Sequence, residues 1–257
     1  MGGALLKGWS ARALGPVIAV EPAPSPELKA FAKRNRIALF ATVAELESVH
    51  ARACVVALKP QILKTEAASL APLARSGALM LSIAAGTTVA AMRRAWGPRA
   101  RILRAMPNTP GAIGHGITAL FADKGVTKKD KALAETLLAA LGETVWVARE
   151  SDIDVVTAVS GSGPAYVFLL VEALTDAARA AGLPRPLAER LARATVAGSG
   201  ALLAADPAPA AELRRAVTSP RGTTEAALKI LMARNGLALL MRKAVAAAHK
   251  RAKELGA

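Results

Sequence analysis

The stretch VIAVEPAPSPELKAFAKRNRIALF (17–40) decides the fold. Two apolar runs, VIAV (17–20) and IALF (37–40), flank a polar segment that carries its own helix start. Ser25-Pro26-Glu27 places a capping hydroxyl ahead of a proline at the first helical position, where the missing N–H costs nothing. Strand, helix, strand at this spacing means a parallel, doubly wound sheet.

Downstream the pattern repeats. ACVVAL (53–58), ALMLSI (78–83), ARILRAM (100–106), ITALFA (117–122) and ETVWVA (143–148) read as further strands. They are near-continuous in apolar residues rather than alternating, as strands covered on both faces should be. Thr42-Val43-Ala44-Glu45 is a capping box, and Pro60 opens the segment after the third strand. Antiparallel edge strands are compatible with this pattern.

Toward the N-terminus, MGGALLKGW (1–9) reads as the second half of a glycine-rich phosphate loop tipping into a first helix, ALLKGWSARA (4–13). In the dinucleotide fingerprint G-x-G-x-x-G the glycines permit a tight turn, close approach to a pyrophosphate and helix–strand contact. VIAV would be the second strand; it ends in Glu21, 19 residues after Gly2, close to the ~20 expected for the acidic residue on the adenosine ribose. Terminal flexibility for the glycines, and a loop-start charge for Glu21, are the plain alternatives. Taken together, these features describe a phosphate loop whose first strand is missing. A longer native protein, with an apolar strand and Gly-x-Gly ahead of Met1, is the expectation.

After Ser151 the strands stop. SGSG (160–163) is expected to break one helix before Pro164 begins a long one, AYVFLLVEALTDAARAAG (165–182). Helices follow at about 186–204, 210–217, 224–234 and 237–255. The expected organisation is a Rossmann-like α/β domain over 1–150 and an all-helical domain over 151–257.

Composition narrows the function. Lys and Arg outnumber Asp and Glu by 34 to 19, a formal +15, yet the charges come singly or in pairs. Aromatics are only 3 %, so stacking platforms for single strands are nearly absent. A basic surface favouring anionic small molecules is expected instead, and no nucleic-acid partner. The lone Cys54 sits inside an apolar run, where a thiol pKa is raised rather than lowered. With one cysteine and no secretory signal, a reducing cytoplasm is the expected home. No apolar stretch is expected to reach the ~18 residues of a membrane span. His50, His115 and His249 are far apart, so no metal site is expected.

Six blocks carry a family resemblance: MGGALLKGW, ALKPQIL (57–63), SIAAGTT (82–88), RAMPNTPGAIGHG (104–116), AVSGSGPAYVF (158–168) and AVTSPRGTTEAAL (216–228). In this order and spacing the chain resembles the pyrroline-5-carboxylate reductases nearly end to end. The resemblance implies a Rossmann-type domain binding NADPH or NADH, and a helical domain interlocking in homodimers that can assemble further. It also implies hydride transfer to the imine carbon of 1-pyrroline-5-carboxylate, giving L-proline, the last step of proline biosynthesis.

Residue by residue, the resemblance implies that Ala57, Leu58, Lys59 and Pro60 pass under the cofactor. Ala84, Ala85 and Gly86 would lie beside the nicotinamide ribose, and Met106, Pro107 and Asn108 near the nicotinamide. Gly2 and Glu21 complete the expected cofactor set. All three loops follow strand C-terminal ends, where open α/β sheets place ligands. Lys59 as a surface charge, 84–86 as a tight turn and Asn108-Thr109-Pro110 as an ordinary turn are the alternatives.

The substrate side would comprise Ser162, Gly163, Val217, Thr218, Ser219, Gly222 and Thr223, in small-residue loops feeding helix N-termini that favour a carboxylate. A helix break with capping serines is the alternative for SGSGP. Thr224 matches the family threonine beside the substrate ring nitrogen; helix capping is its alternative role. Three departures stand out: the absent first strand with the first two fingerprint glycines, Arg221 where many relatives have glycine, and Ala44 where many have asparagine near the ribose. The carboxylate of Glu21 would accept from a free ribose but repel a 2′-phosphate, so relaxed cofactor choice is expected. Two rival functions remain at this point. One is a catalytically impaired helical-dimer scaffold; the other is a β-hydroxyacid dehydrogenase, for which Lys229 and Lys243 are the candidate lysines.

Overall fold

The computed structural model describes residues 1–46 and 49–256. Two compact units divide the chain: Met1–Gly161 with Ala248–Ala257, and Ser162–Ala247. Helical residues 152–161 and the last turns of the chain thus belong to the sheet unit.

The first unit opens with helix α1 (Gly2–Ala11), then β1 (Ile18–Val20), α2 (Pro26–Arg34) and β2 (Ala38–Phe40). The Ser25 hydroxyl accepts the Leu28 N–H at 3.2 Å and Pro26 takes the first helical position, as the sequence requires. β1 and β2 pair in parallel, with Ile18 opposite Ala38. A five-stranded sheet follows in the order β3 (Ala53–Val56), β4 (Leu79–Ser82), β5 (Arg101–Met106), β6 (Gly116–Ala122) and β7 (Gly142–Trp146). Helices α3 (Pro60–Glu66), α4 (Ala71–Arg75), α5 (Val89–Trp96) and α6 (Lys128–Leu138) connect its strands. Among the described residues, neither β1 nor β3 pairs on its second side.

All seven expected strands form. β3, β4 and β5 are mutually parallel, whereas β6 runs antiparallel to β5. The reason is length: only the short 3₁₀ turn Thr109–Ile113 joins β5 to β6, too little chain for a crossover helix. α6 supplies one for β7, which is parallel to β6.

Both sheet faces are covered. Met80 and Ile102 join Val56, Leu63, Met92 and Trp96 on one face; Leu79, Leu81 and Leu103 join Leu5, Leu120, Leu138 and Leu141 on the other. Neighbouring residues of one strand thus serve opposite cores, as the pleat demands. α1 is a docked element rather than a loose terminus. Leu5 is fully buried, the Trp9 indole N–H donates to the Leu137 carbonyl at 2.7 Å, and a Cβ on Gly8 would lie 2.6 Å from that of Ala140.

Helices complete the chain: α7 (Asp152–Val156), α8 (Gly163–Ala180), α9 (Arg185–Ala205), α10 (Ala210–Ala216), α11 (Thr223–Leu231) and α12 (Leu237–Gly256). At SGSG the α-helix is interrupted, since α7 ends at Val156 and α8 starts at Gly163 after the turn residue Ser162, but the chain does not leave the helical path. Residues Thr157–Gly161 form a π turn, a widened turn that accommodates a following proline without an N–H to give. The Thr157 hydroxyl donates to the Ile153 carbonyl at 2.8 Å, and that of Ser160 to Val156 at 3.2 Å. Helix therefore runs from Asp152 to Ala180, 29 residues with a mean hydropathy of 1.4 in its most apolar window. This corrects the expectation that no stretch is long and apolar enough to cross a membrane: by length and composition this one is. In the single chain α8 buries none of its residues, and Phe168, Leu169 and Leu170 are exposed.

One buried carboxylate ties helix to sheet. Asp130 accepts the Thr127 N–H at 2.9 Å, the Thr127 hydroxyl accepts the Asp130 N–H at 3.1 Å, and Arg101 pairs with Asp130 at 2.5 Å. Burial pushes the Asp130 carboxyl up, but the Thr127 donors and the Arg101 charge outweigh it and hold the pKa below the ordinary value. A depressed folded-state pKa contributes stability above the unfolded value near ~4, lost as pH falls through the folded pKa. Asp130→Asn should lower Tm at pH 7 by roughly 2–6 °C, from ~1–1.5 kcal/mol of lost capping and pairing. The gap from wild type should shrink between about pH 5 and pH 3, measured by thermal melts across that range.

Candidate functional site

In the first unit, the C-terminal ends of three adjacent parallel strands lie side by side, and the expected cofactor loops follow them. After β3, Ala57 is exposed, Leu58 half-buried, and Lys59 is the exposed residue before Pro60 at the start of α3. A Cβ on Gly2 would lie 3.1 Å from that of Ala57, so the first turn of α1 meets the exit of β3. After β4, the Ala84 N–H donates to the Ser82 hydroxyl at 3.3 Å. Gly86 then adopts φ +67°, and a Cβ there would lie 3.0 Å from the Leu255 Cβ and carbonyl oxygen. No other residue type fits that left-handed position under the end of α12 without strain. Ala85 is half-buried, and the Thr88 hydroxyl caps α5 by accepting the Ala91 N–H at 3.2 Å.

After β5, Met106 is half-buried and its methyl would lie 2.7 Å from a Cβ on Gly161. Pro107 is buried, and the Asn108 amide oxygen accepts the Ile117 N–H at 3.0 Å. Asn108 is therefore a fixed bridge between loop and strand. Glu21 lies just past β1; its N–H donates to the Phe40 carbonyl at 2.9 Å and its carboxylate accepts the Ala23 N–H at 3.2 Å. It belongs to the β1–β2 pair and shares no hydrogen bond with the three loops in the described residues.

The loops suit a dinucleotide. The Thr87 hydroxyl is buried beside Gly86 with no hydrogen-bond partner, an orphan of the kind a ligand oxygen satisfies. Gly2 and Gly86 are themselves packed against Ala57 and Leu255 of the chain, which fixes the backbone of both loops.

Sequence reasoning missed a charge cluster behind these loops. Arg104, 4 % exposed in the middle of β5, pairs with Glu150 at 2.6 Å. The same Glu150 oxygen accepts the N–H of Val89, the first residue of α5, at 2.7 Å. The signal was present, since an arginine inside the apolar run ARILRAM needs a counter-charge if it is buried.

The expected substrate residues lie in the second unit. Ser162 precedes α8 and Gly163 is its first residue. Val217 ends α10 and is exposed; the Thr218 hydroxyl donates to the Arg214 carbonyl at 2.6 Å. Exposed Ser219 accepts at its carbonyl from the Gly222 N–H at 3.1 Å, and a Cβ on Gly222 would collide with the Ser219 hydroxyl. Arg221 takes φ +59°, a left-handed conformation that glycine adopts more easily. Its N–H donates to the Glu225 carboxylate at 2.5 Å.

Gly222 occupies the N-cap of α11, which places Thr223 first and Thr224 second in the helix. The capping alternative for Thr224 therefore falls: the cap position belongs to a residue without a side chain. Thr223 is exposed and Thr224 half-buried. Lys229 pairs with Glu225 at 3.3 Å one turn earlier, on the exposed face of α11. An open cavity of about 460 Å³ lined by Arg214, Arg215, Thr218, Glu225 and Lys229 contains only Thr218 of the expected substrate set.

Among the described residues no three His, Cys, Asp or Glu side chains come together as a metal site. Cys54 packs against the first core, and burial pushes its thiol up to about 11.

The chain is similar to known proteins. Residues 150–255 match the family model described as pyrroline-5-carboxylate reductase dimerisation. The chain is 43 % identical over 201 residues to a pyrroline-5-carboxylate reductase of Pseudomonas aeruginosa, covering 78 % of this chain and 73 % of that protein. Among solved structures it is similar to a pyrroline-5-carboxylate reductase of Coxiella burnetii, with 35 % identity, a TM-score of 0.90, and coverage of 100 % of this chain and 95 % of that one. A Plasmodium falciparum pyrroline carboxylate reductase with NADP bound is 29 % identical, with a TM-score of 0.82, over 100 % and 95 % of the two chains.

A thiol with a pKa about 11 is only ~10⁻³ ionised at pH 8, and only the thiolate is reactive. Native protein at pH 8 should therefore show almost no reaction with Ellman's reagent within minutes. One thiol per chain should titrate once guanidinium unfolds it. The native rate should climb about tenfold per pH unit between 8 and 10, with no plateau.

Proposed function

The chain belongs to the pyrroline-5-carboxylate reductase family, and from that premise we propose that it reduces 1-pyrroline-5-carboxylate to L-proline at the expense of NADPH or NADH. What supports the reading most directly is where the family-like blocks fall: at the ends of β3, β4 and β5, and at the starts of α1, α8 and α11.

Residues 1–150 form the NAD(P)-binding part and 151–257 the helical substrate and dimerisation part, of which 152–161 and 248–257 pack with the sheet unit. Gly2 gives its backbone to the pyrophosphate, and Glu21 accepts from the adenosine ribose. Ala57 to Pro60 run under the cofactor, Ala84 to Gly86 flank the nicotinamide ribose, and Met106 to Asn108 set the nicotinamide end. When bound, the reduced nicotinamide supplies the hydride. The protein contributes orientation and charge placement.

Ser162, Gly163, Val217, Thr218, Ser219, Gly222 and Thr223 hold the substrate, whose carboxylate is favoured by unsatisfied N–H groups at helix starts. The reaction adds hydride to the imine carbon and a proton to the ring nitrogen. Thr224 donates its hydroxyl hydrogen bond to that nitrogen as the C=N bond is reduced, with water replenishing the proton. The exposed apolar side chains of α8 make the active form a homodimer, with dimers free to assemble further, in the cytoplasm and without a nucleic-acid or membrane partner. Light scattering at micromolar concentration should give at least twice the 26.4 kDa chain mass.

The activity is tested by loss of NADPH absorbance that depends on added 1-pyrroline-5-carboxylate; its absence in folded protein sinks the proposal. Thr224→Val should lower kcat and kcat/KM together by ~10²-fold, as removal of a transition-state hydrogen bond does. Its Tm should stay within about 2 °C of wild type, because Gly222 and not Thr224 caps α11. Thr223→Val, which removes a binding hydroxyl and not the one at the reacting nitrogen, should raise KM while keeping kcat within about threefold.

A further inference from the structure

Arg104 spends its charge where an aliphatic side chain would pack. It lies on the same face of β5 as Ile102, between Phe121 of β6 and the small buried Ser82 of β4. A buried ion pair is weak support for stability, since a well-packed apolar pair does as well or better. What this pair does that an apolar pair does not is direct. One Glu150 oxygen takes both the Arg104 guanidinium at 2.6 Å and the Val89 N–H at 2.7 Å.

Three segments are joined by that one oxygen. Arg104 stands two residues before Met106, at the exit of β5. Val89 follows directly on the loop 84–88 and its capping Thr88. Glu150 precedes α7 and the π turn, whose Gly161 faces the Met106 methyl. The acceptor also sits at the positive end of the α5 dipole, so its charge is favoured there. Rotation of the β4–α5 loop away from the β5 exit would break a hydrogen bond to a charged group, the kind most costly to lose.

We propose that Arg104 and Glu150 are positioning residues, a charged clamp that sets the β4–α5 loop against the β5 exit so that both present their backbone to the nicotinamide half of the cofactor. This rests on the cofactor placement proposed above. Neither side chain is catalytic; both act through residues 84–88 and 106–108.

The test uses the full-length protein and binding rather than turnover. NADPH fluorescence titration gives Kd for the whole cofactor, and competition with adenosine 2′,5′-bisphosphate gives Kd for the adenosine end alone. The double variant Arg104→Met/Glu150→Leu replaces the clamp with apolar packing, and Glu150→Gln, measured alongside, keeps shape and an acceptor oxygen but removes the charge. The expected result is NADPH binding weakened at least tenfold in the double variant and at least threefold in Glu150→Gln. Tm should fall by no more than a few degrees in Glu150→Gln, and adenosine 2′,5′-bisphosphate should bind within twofold of wild type in every folded variant. Wild-type NADPH affinity in either folded variant overturns the clamp, as does equal weakening of both ligands, which would mark a merely structural role. Failure of the wild-type protein itself to bind NADPH would instead refute the cofactor placement.

Discussion

Strand β4 has no face in water: Leu79, Met80 and Leu81 are each 0 % exposed, and the rest of the first unit follows from that. A strand buried on both sides needs a helical layer on each. α5 brings Met92 and Trp96 to one face, and α1 and α6 bring Leu5, Ala134 and Leu138 to the other. Both layers are keyed by indole N–H groups, Trp96 to the Ala67 carbonyl at 2.9 Å and Trp9 to that of Leu137 at 2.7 Å. With both faces occupied, the ends of the strands are what the sheet has left to offer a ligand.

The polar groups kept inside this unit are few and concentrated near those ends. Arg104, Ser82 and Thr87 are buried within or just beyond β4 and β5. Two of them hold backbone in place: Ser82 takes the Ala84 N–H, and Arg104 takes the carboxylate that takes the Val89 N–H. Thr87 has no partner among the described residues. Apart from Asp130, paired with Arg101 at the far end of β5, the buried polar groups of this unit thus gather near the loops proposed to meet the cofactor, where geometry must be held most tightly.

The helical unit obeys a different constraint. Val167, Phe168, Leu169 and Leu170 of α8, and Ile230 and Leu231 of α11, face outward in the single chain. Patches of this size mark surfaces that another molecule covers. The match of residues 150–255 to a dimerisation model says which kind.

The sequence alone determined the strands of the sheet unit and the starts of two of its helices. Apolar runs and the start signals at Ser25 and Pro60 are local facts, and local physics turns them into strands and helices, whereas the box at Thr42–Glu45 yields only a 3₁₀ turn, Val43–Leu46. The family-like blocks were legible for the same reason, since loops that feed helix starts carry their glycines, prolines and hydroxyls in short runs. What depended on distance in the chain was not legible. SGSG read as a plain helix break, whereas a π turn bridges α7 and α8 there, with the hydroxyls of Thr157 and Ser160 bonding back within the helix. Thr224 read as a possible cap until Gly222 was seen to hold that position. The pairing of Arg104 with Glu150, 46 residues apart, and the seating of Leu255 over Gly86 exist only once the sheet brings them together. Tertiary structure decides such contacts because the energy of a buried charge or a side-chain-free approach depends on its partner across space, and neither partner carries that information in its own neighbourhood.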